Sequence, residues 1–591
     1  MSSLAPTTPR WTWLPAPGTW RYYALLAVAG IGVLGPLGGI AASYMNFSLG
    51  FFVGGQVLAG ILGSAVTFGY GRDGCHGANY IQTTAASVAG MSGMCVVIQA
   101  MAWMGLPQPP AWQLVLYMLC IGMYGVGVGM LYTPLLVDRL QLTFPSGLAV
   151  ANILRALTDP VLLRQSVGRL GGGMLAGLVA GIASGQVAML AAVQLSASTF
   201  GAGMIVGARI GIAALAGGLL SWALTPWFVS IGWLAPGDPF RKITFLIALG
   251  MILGAALVDI AMLLGRIRRR VREASPTASP TTGRIPVGRL VAWVVFWGMA
   301  TVACGTTLLG QPVLYLAMAV VLVFVFALVN GISVGMVDQN PISSAFVVSV
   351  IVMAAVGLHD PVVGLLAATV LLVSTGIACD MQQDRSTGWR LGTDRTIQFR
   401  FQVAGVVMGA LLAVAFARLF LGAYPVLLLD QTALSAADQP ERWASAMTYK
   451  IVGTLRSLTA DRPYQRTAIW VGVAIGLAIE VARKVLHGSL AYQRFARTRH
   501  GRPVDFVLDA ILLPSPYASS FGGFVGLATS AWFAAGGVCA SAWDSRPRRQ
   551  VAPAMPADMS GTSLVGGGLI AGDAIAAVGL GVFGLLATAL G

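Results

Sequence analysis

The run Val362-Val363-Gly364-Leu365-Leu366-Ala367-Ala368-Thr369-Val370-Leu371-Leu372-Val373-Ser374-Thr375-Gly376-Ile377-Ala378 passes straight into Cys379-Asp380-Met381-Gln382-Gln383-Asp384-Arg385-Ser386-Thr387-Gly388-Trp389-Arg390-Leu391-Gly392. The first stretch reads as a membrane helix, and Val403 to Phe416 beyond the second reads as another. Between them lies a dense run of acids, amides and arginines that interrupts a chain written almost wholly in apolar residues. Polar groups beside membrane spans are expensive, which marks this run as a place that acts on something.

Composition sets the class. Of 591 residues, 57% are hydrophobic and 10% charged, against about 25% charged in an ordinary soluble domain. Apolar stretches of about 20 residues, the length that spans a bilayer as helix, recur from Tyr23 to the C-terminus. The expectation is an all-α polytopic membrane protein with roughly 14 to 16 transmembrane helices plus broken or re-entrant pieces. The net charge of +15 sits in short loops between apolar runs, where it orients the chain, so nucleic acid is excluded as a partner. The six cysteines are scattered, with no CxxC pair, and read as small core residues; no metal site and no cofactor are expected. Residues 1–20 are polar and proline-rich, without a cleavable signal peptide, and read as a cytoplasmic tail.

Arginine clusters fix the path. Arg266, Arg268, Arg269, Arg270 and Arg272, followed by the Ser/Pro/Thr-rich stretch from Ala274, place a cytoplasmic linker at 266–286 between a half at 21–265 and a half at 287–591. Further cytoplasmic clusters lie at Arg155 to Arg169, Arg385 to Arg400, Arg494 to Arg502 and Arg546 to Arg549. The N-terminus is then cytoplasmic, in a cytoplasmic (inner) membrane. Phe144 to Leu157 is too short to cross and should be re-entrant, and the Gly-rich piece Ser196 to Ile212 must dip or cross as a short element. Leu513-Pro514-Ser515-Pro516 splits Val504 to Val538 into a broken hairpin. Gly173, Gly177, Gly181 and Gly185 fall on one helix face, and Gly568, Gly572 and Ala576 repeat the pattern; both read as close helix packing.

Six ordered pieces resemble a known family. Gln383-Asp384-Arg385-Ser386-Thr387-Gly388-Trp389 looks like the Gln-Asp-x-Lys-Thr-Gly-Tyr element of the oligopeptide transporter (OPT) family, which includes a yellow-stripe-like branch. Gln82-Thr83-Thr84-Ala85-Ala86-Ser87, Phe144-Pro145-Ser146-Gly147-Leu148-Ala149, Gly203-Met204-Ile205-Val206 with Leu219-Leu220-Ser221-Trp222, Asn340-Pro341-Ile342-Ser343-Ser344 and Gly568-Leu569-Ile570-Ala571-Gly572-Asp573 resemble further pieces in order. Ser386 stands where the family usually has lysine, and Asp573 where it has glutamate. The resemblance, to a bacterial-type member, implies a secondary active importer, typically proton-coupled, of small peptides, modified peptides or metal-chelate complexes such as siderophores. It also implies two pseudo-repeated halves around a central pathway.

On that reading the neutral donors and acceptors Asn79, Gln82, Thr83, Thr84 and Ser87, with Asn340, Ser343, Ser344 and Gln383, suit a zwitterionic substrate, and Arg209 could hold its carboxylate. Each has a competing structural role, in interhelical hydrogen bonds or, for Arg209, in pairing with an acid such as Asp259. Asp380, Asp384, Asp573 and Asp259 are the proton-coupling candidates. Asp384 could instead bridge to Arg385 or Arg390 at the cytoplasmic mouth, and Asp573, with no basic neighbour within a turn, must find a partner across the bundle or stay protonated. Glu480, beside Arg483 and four residues before Lys484, reads as structural. The partners implied are a small-molecule substrate, protons and the lipid bilayer, with a homo-oligomer left open. A passive channel is the alternative. An intramembrane enzyme is disfavoured: Gly331-Ile332-Ser333-Val334-Gly335 matches a nucleophile pattern but lacks the strand-turn-helix setting it needs.

Overall fold

The computed structural model describes residues 14–50, 55–187, 194–273, 285–337, 340, 342–440, 442–459, 463–546 and 560–590. These residues form helices and loops, with no strand among them. In the first part, α1 (Trp20–Ala27) runs through a π-helical turn into α2 (Gly35–Ser48), followed by α3 (Gly55–Thr67), α4 (Gly74–Ser92), α5 (Cys95–Trp103) and α6 (Ala111–Thr133). Then come α7 (Pro145–Ala156), α8 (Pro160–Gln186), α9 (Ala197–Val206), α10 (Ala208–Ala223), α11 (Thr225–Ser230) and α12 (Arg241–Glu273). The second part holds α13 (Val287–Leu309), α14 (Val313–Val337), α15 (Ile342–Ala355), α16 (Pro361–Leu391), α17 (Arg395–Ala423) and α18 (Ala446–Thr459). It ends with α19 (Pro463–Gly488), α20 (Leu490–Ala496), α21 (Gly501–Val507), α22 (Pro516–Phe524), α23 (Leu527–Asp544) and α24 (Gly561–Leu590). Among the described residues, eleven helical stretches are long and apolar enough to cross a membrane. The protein is an all-α polytopic membrane protein.

The polar run at Cys379 to Leu391 does not interrupt the membrane helix, as the sequence reading expected; it is the end of it. Asp360 accepts a hydrogen bond from Val362 N at 2.8 Å and Pro361 sits at the first position, so α16 starts at a strong cap. Nothing breaks it for 31 residues, until Gly392 adopts φ 73°. Asp394 then caps α17 through Thr396 N and Ile397 N. The run is buried because its polar groups meet polar groups on α4, α7 and α17 rather than water. The arginine run of the expected linker is likewise helical through Glu273, while 274–284 lie outside the described residues.

The short pieces fall where expected. α7 is 12 residues long and cannot cross alone. The short Gly-rich piece expected at Ser196 to Ile212 is α9 and the first turn of α10 with a break at Gly207, whose φ of 82° is open to glycine. The hairpin after Val504 breaks at Leu513 and a second time at Val525–Gly526, between α22 and α23.

Glycine contacts set the helix order. A Cβ on Gly173 would lie 2.4 Å from Val565 O and one on Gly177 2.3 Å from Leu569 O, so α8 and α24 run parallel with backbones touching. The same arrangement recurs between α12 and α19. There a Cβ on Gly250 would lie 2.1 Å from Ile469 O and one on Gly254 2.2 Å from Val473 O. Gly207 lies beside Gly537, Arg209 pairs with Asp509, and Asp509 pairs with Arg483 near the end of α19, while Gly566 at the start of α24 packs on Ile205. The start of one parallel pair is therefore level with the end of the other, and the two pairs run in opposite directions. Other packing is paired in the same way: α4 with α17 and α16 with α6, α2 with α4 and α14 with α16, α9 with α24 and α22 with α12. Helix α13, packed on α6 and α14, has no counterpart in that scheme.

Candidate functional site

The polar end of α16 faces α4, the start of α17 and the half-length α7. Asp384 is 1% exposed, and its Oδ1 accepts 2.9 Å from Gln82 Nε2 on α4. Gln398 on α17 donates through Nε2 both to Asp384 O at 2.8 Å and to Thr83 Oγ1 at 3.0 Å, tying three helices together. Arg385 donates to Gln398 Oε1 at 3.3 Å and to Arg395 O, and Arg395 holds Asp138 with two bonds of 2.7 and 2.8 Å. Thr387 Oγ1 donates to Gly147 O on α7 at 3.0 Å, and a Cβ on Gly147 would press on Gln383 O. This bidentate clamp and this helix contact close the end of the site.

Several buried polar atoms on α4, α16 and α17 are left without a partner. They are both side-chain atoms of Asn79, Gln82 Oε1, Asp384 Oδ2, Arg385 Nη2 and both amide atoms of Gln402. Asn79, Gln82 and Gln402 are 0% exposed. Unpaired buried polar atoms each carry a penalty of about 1–3 kcal/mol, which a polar occupant would relieve. Asp380 lies one turn before Asp384 on the same face of α16, its Oδ2 3.0 Å from where Gly90 of α4 would carry a Cβ. No ion pair joins Asp384 to Arg385 or Arg390 among the described residues; each arginine donates to backbone oxygens instead.

The remaining sequence candidates separate. Thr84 and Ser87 bond to carbonyls of their own helix, at Tyr80 O (2.9 Å) and Thr83 O (2.7 Å). Asn340 accepts from Asn330 Nδ2 at 3.1 Å, and the side chains of Ser343 and Ser344 lie outside the described residues. Arg209 sits at the N-terminal end of α10, 44% exposed, with Asp505 at 2.8 Å and Asp509 at 3.0 Å. Partial burial pushes the Asp505 carboxyl up, but its bonds from Tyr492 and Arg209 outweigh this and hold it below the usual carboxylate range. Asp259 pairs with Lys484 at 2.8 Å, not with Arg209, and accepts from Tyr517 at 3.0 Å. Lys484 also bridges to Glu480 at 3.0 Å, as their spacing predicts.

Asp573 finds its partner across the bundle. Arg442, from the loop before α18, reaches its Oδ1 at 3.0 Å; Tyr44 OH donates to Oδ2 at 3.1 Å and Ser198 N to the same oxygen at 3.1 Å. Sequence reading missed Arg442 and Tyr44, which lie 131 and 529 positions away. It also missed Gln398 and Gln402, though two glutamines one turn apart at the start of a membrane helix were a usable signal.

The sequence matches the family described as "OPT oligopeptide transporter protein" over residues 19–583. A Haemophilus influenzae protein named "Putative oligopeptide transporter" is 25% identical over 506 residues, covering 74% of this chain and 78% of that one.

Proposed function

Because this chain belongs to the OPT oligopeptide transporter family, we propose that it is a proton-coupled importer of small peptides, with the nest between α4, α16 and α17 as its recognition site. As a member of a transporter family it is not an enzyme, and Gly331 to Gly335 lies within the helix α14. The observation that carries the reading is the set of unpartnered buried atoms on Asn79, Gln82, Asp384, Arg385 and Gln402. A peptide offers amide N–H and C=O groups along its backbone and opposite charges at its ends. Asn79, Gln82 and Gln402 match the amides, Arg385 Nη2 matches a carboxylate and the Asp384 oxygen matches an ammonium or a proton. Thr83 and Gln383 border the same face.

Asp384, with Asp380 one turn away, carries the coupled proton in this proposal. Each lies on α16 against α4, and neither has an ion pair among the described residues. Asp573 and Asp259 are assigned instead to holding the bundle, since Arg442 and Lys484 neutralise them. The sequence holds no ATP-binding P-loop, consistent with a gradient as the energy source. The opposed helix pairs support two repeated halves, 21–265 and 287–591, around the site. The broken helices α9–α10 and α22–α23 are then the elements that would open alternately. The arginine distribution supports an inner-membrane protein with a cytoplasmic N-terminus.

The test is uptake into proteoliposomes of labelled tripeptides and glutathione against ferric chelate complexes, with and without an inward proton gradient. Peptide accumulation above equilibrium that needs the gradient supports the proposal. Accumulation of the chelates alone moves the substrate class to metal complexes, and equilibration indifferent to the gradient means a passive facilitator.

A further inference from the structure

We propose that Cys120 and Cys304 form a peroxide-oxidisable dithiol that converts to a disulfide and covalently fastens α13 to α6. The two sulfurs lie 3.7 Å apart, in contact though 184 positions separate them in sequence. Nothing in their spacing announces the pair. It follows from how α13 lies on α6: Trp293 Nε1 donates to Met123 O at 2.9 Å, Gly298 packs under the Tyr124 ring, and Gly305 packs beside Tyr117. Residues 293, 298 and 305 thus meet 123, 124 and 117 in antiparallel register, which brings 304 opposite 120. Tyr117 and Tyr124 are themselves held by bonds to Leu366 O and Val320 O, so α6 is a fixed base for the contact.

Disulfide formation needs the sulfurs to close to about 2.05 Å. From 3.7 Å the two sulfurs have about 1.7 Å left to close. Exposure is unequal: Cys120 is 2% exposed, whereas Cys304 is partly exposed on α13, a helix long and apolar enough to cross the membrane, so neutral hydrogen peroxide has to reach it within the bilayer. The Cys304 thiol therefore meets the oxidant first. Its sulfur attacks one oxygen of hydrogen peroxide, the O–O bond breaks and water leaves with the thiol proton, giving a sulfenic acid. The Cys120 sulfur then attacks the Cys304 sulfur, the S–O bond breaks, and the hydroxyl departs as a second water with the Cys120 proton. Two thiols and one peroxide yield one disulfide and two waters.

The experiment uses the full chain in membranes with Cys75, Cys95, Cys379 and Cys539 changed to serine and a protease site inserted in the serine- and proline-rich stretch at 274–284. After exposure to hydrogen peroxide and cleavage, a denaturing non-reducing gel should show the two fragments as one band of the intact monomer's mass, which a reductant splits. Cys120→Ser or Cys304→Ser should leave the fragments separate. Fragments that separate after peroxide in the two-cysteine protein overturn the proposal, as does a joined band that persists in either single variant. Peptide mass mapping of the unaltered six-cysteine chain gives the second readout. A linked pair containing residues 120 and 304 supports the site, and unlinked or differently linked cysteines reject it.

Discussion

Asp384 and Asp573 are both at most 1% exposed, both within long apolar helices, and they are treated in opposite ways. Asp573 is saturated: Arg442, Tyr44 and the Ser198 amide leave neither oxygen idle. Asp384 has a single neutral donor, Gln82, and an oxygen with none. A buried carboxylate is tolerable when a cation and hydrogen bonds replace its lost hydration. Asp573 meets that condition by itself, and Asp384 meets it only with a proton or a ligand added. The difference teaches that an acid in a membrane helix is not by that fact a coupling site; its surroundings decide.

The hardest test of this contrast falls on Arg442. Arg442→Met strands the Asp573 carboxylate, and breaking one side of a buried pair costs about 3–5 kcal/mol. A large fall in the thermal unfolding midpoint of the purified protein is expected, with at least half recovered in the Arg442→Met/Asp573→Asn double variant. Equal loss in the single and double variants would mean that Arg442 matters for something other than this pair.

Next in size is the steric test of the repeated helix crossings. Gly254→Leu and Gly572→Leu each push a side chain into a facing backbone carbonyl, and overpacking of that kind costs about 1–3 kcal/mol or more. The two should destabilise alike; a difference beyond the range would show that the α12–α19 and α8–α24 pairs are not equivalent supports. The α8–α24 glycine face was readable as a small-residue stripe, and Gly250, Gly254, Gly472 and Gly476 carried the same four-residue spacing in the other pair. Short pieces were legible because bilayer thickness and proline act locally, whereas which glycine breaks the Ser196 to Ile212 piece was not. The site was legible only as an inventory. That Gln82 and Asp384 meet depends on helices over 300 residues apart, and the polar end of α16 looked like a loop because its partners on α4 and α17 cannot be seen from within the run.

Asp384→Asn comes third, and it tests function rather than folding. The amide keeps the shape and the Gln82 neighbour but cannot exchange a proton. Gradient-driven accumulation should fall at least about tenfold, the factor that 1.4 kcal/mol represents, while exchange of substrate at equal concentrations persists. Asp573→Asn should keep its coupling per folded molecule. If that variant loses coupling and Asp384→Asn keeps it, the assignment of roles is reversed.

The smallest effect is expected at Arg209, the residue that sequence alone placed nearest to a substrate carboxylate. Its guanidinium is engaged by Asp505 and Asp509, and it is the most exposed member of that cluster. Exposed ion pairs contribute about 0–1 kcal/mol, screened further by salt. Arg209→Ala should therefore change the unfolding midpoint slightly, less at high ionic strength, and leave the substrate concentration for half-maximal uptake within about twofold, under 0.5 kcal/mol. Arg385→Gln should by contrast weaken binding of a peptide with a free C-terminus more than that of its amidated form, because Arg385 Nη2 is buried and unpartnered beside Asp384. A rise confined to Arg209→Ala, with Arg385→Gln indifferent to the terminal carboxylate, would move recognition from the α16 nest to the broken helix α9–α10.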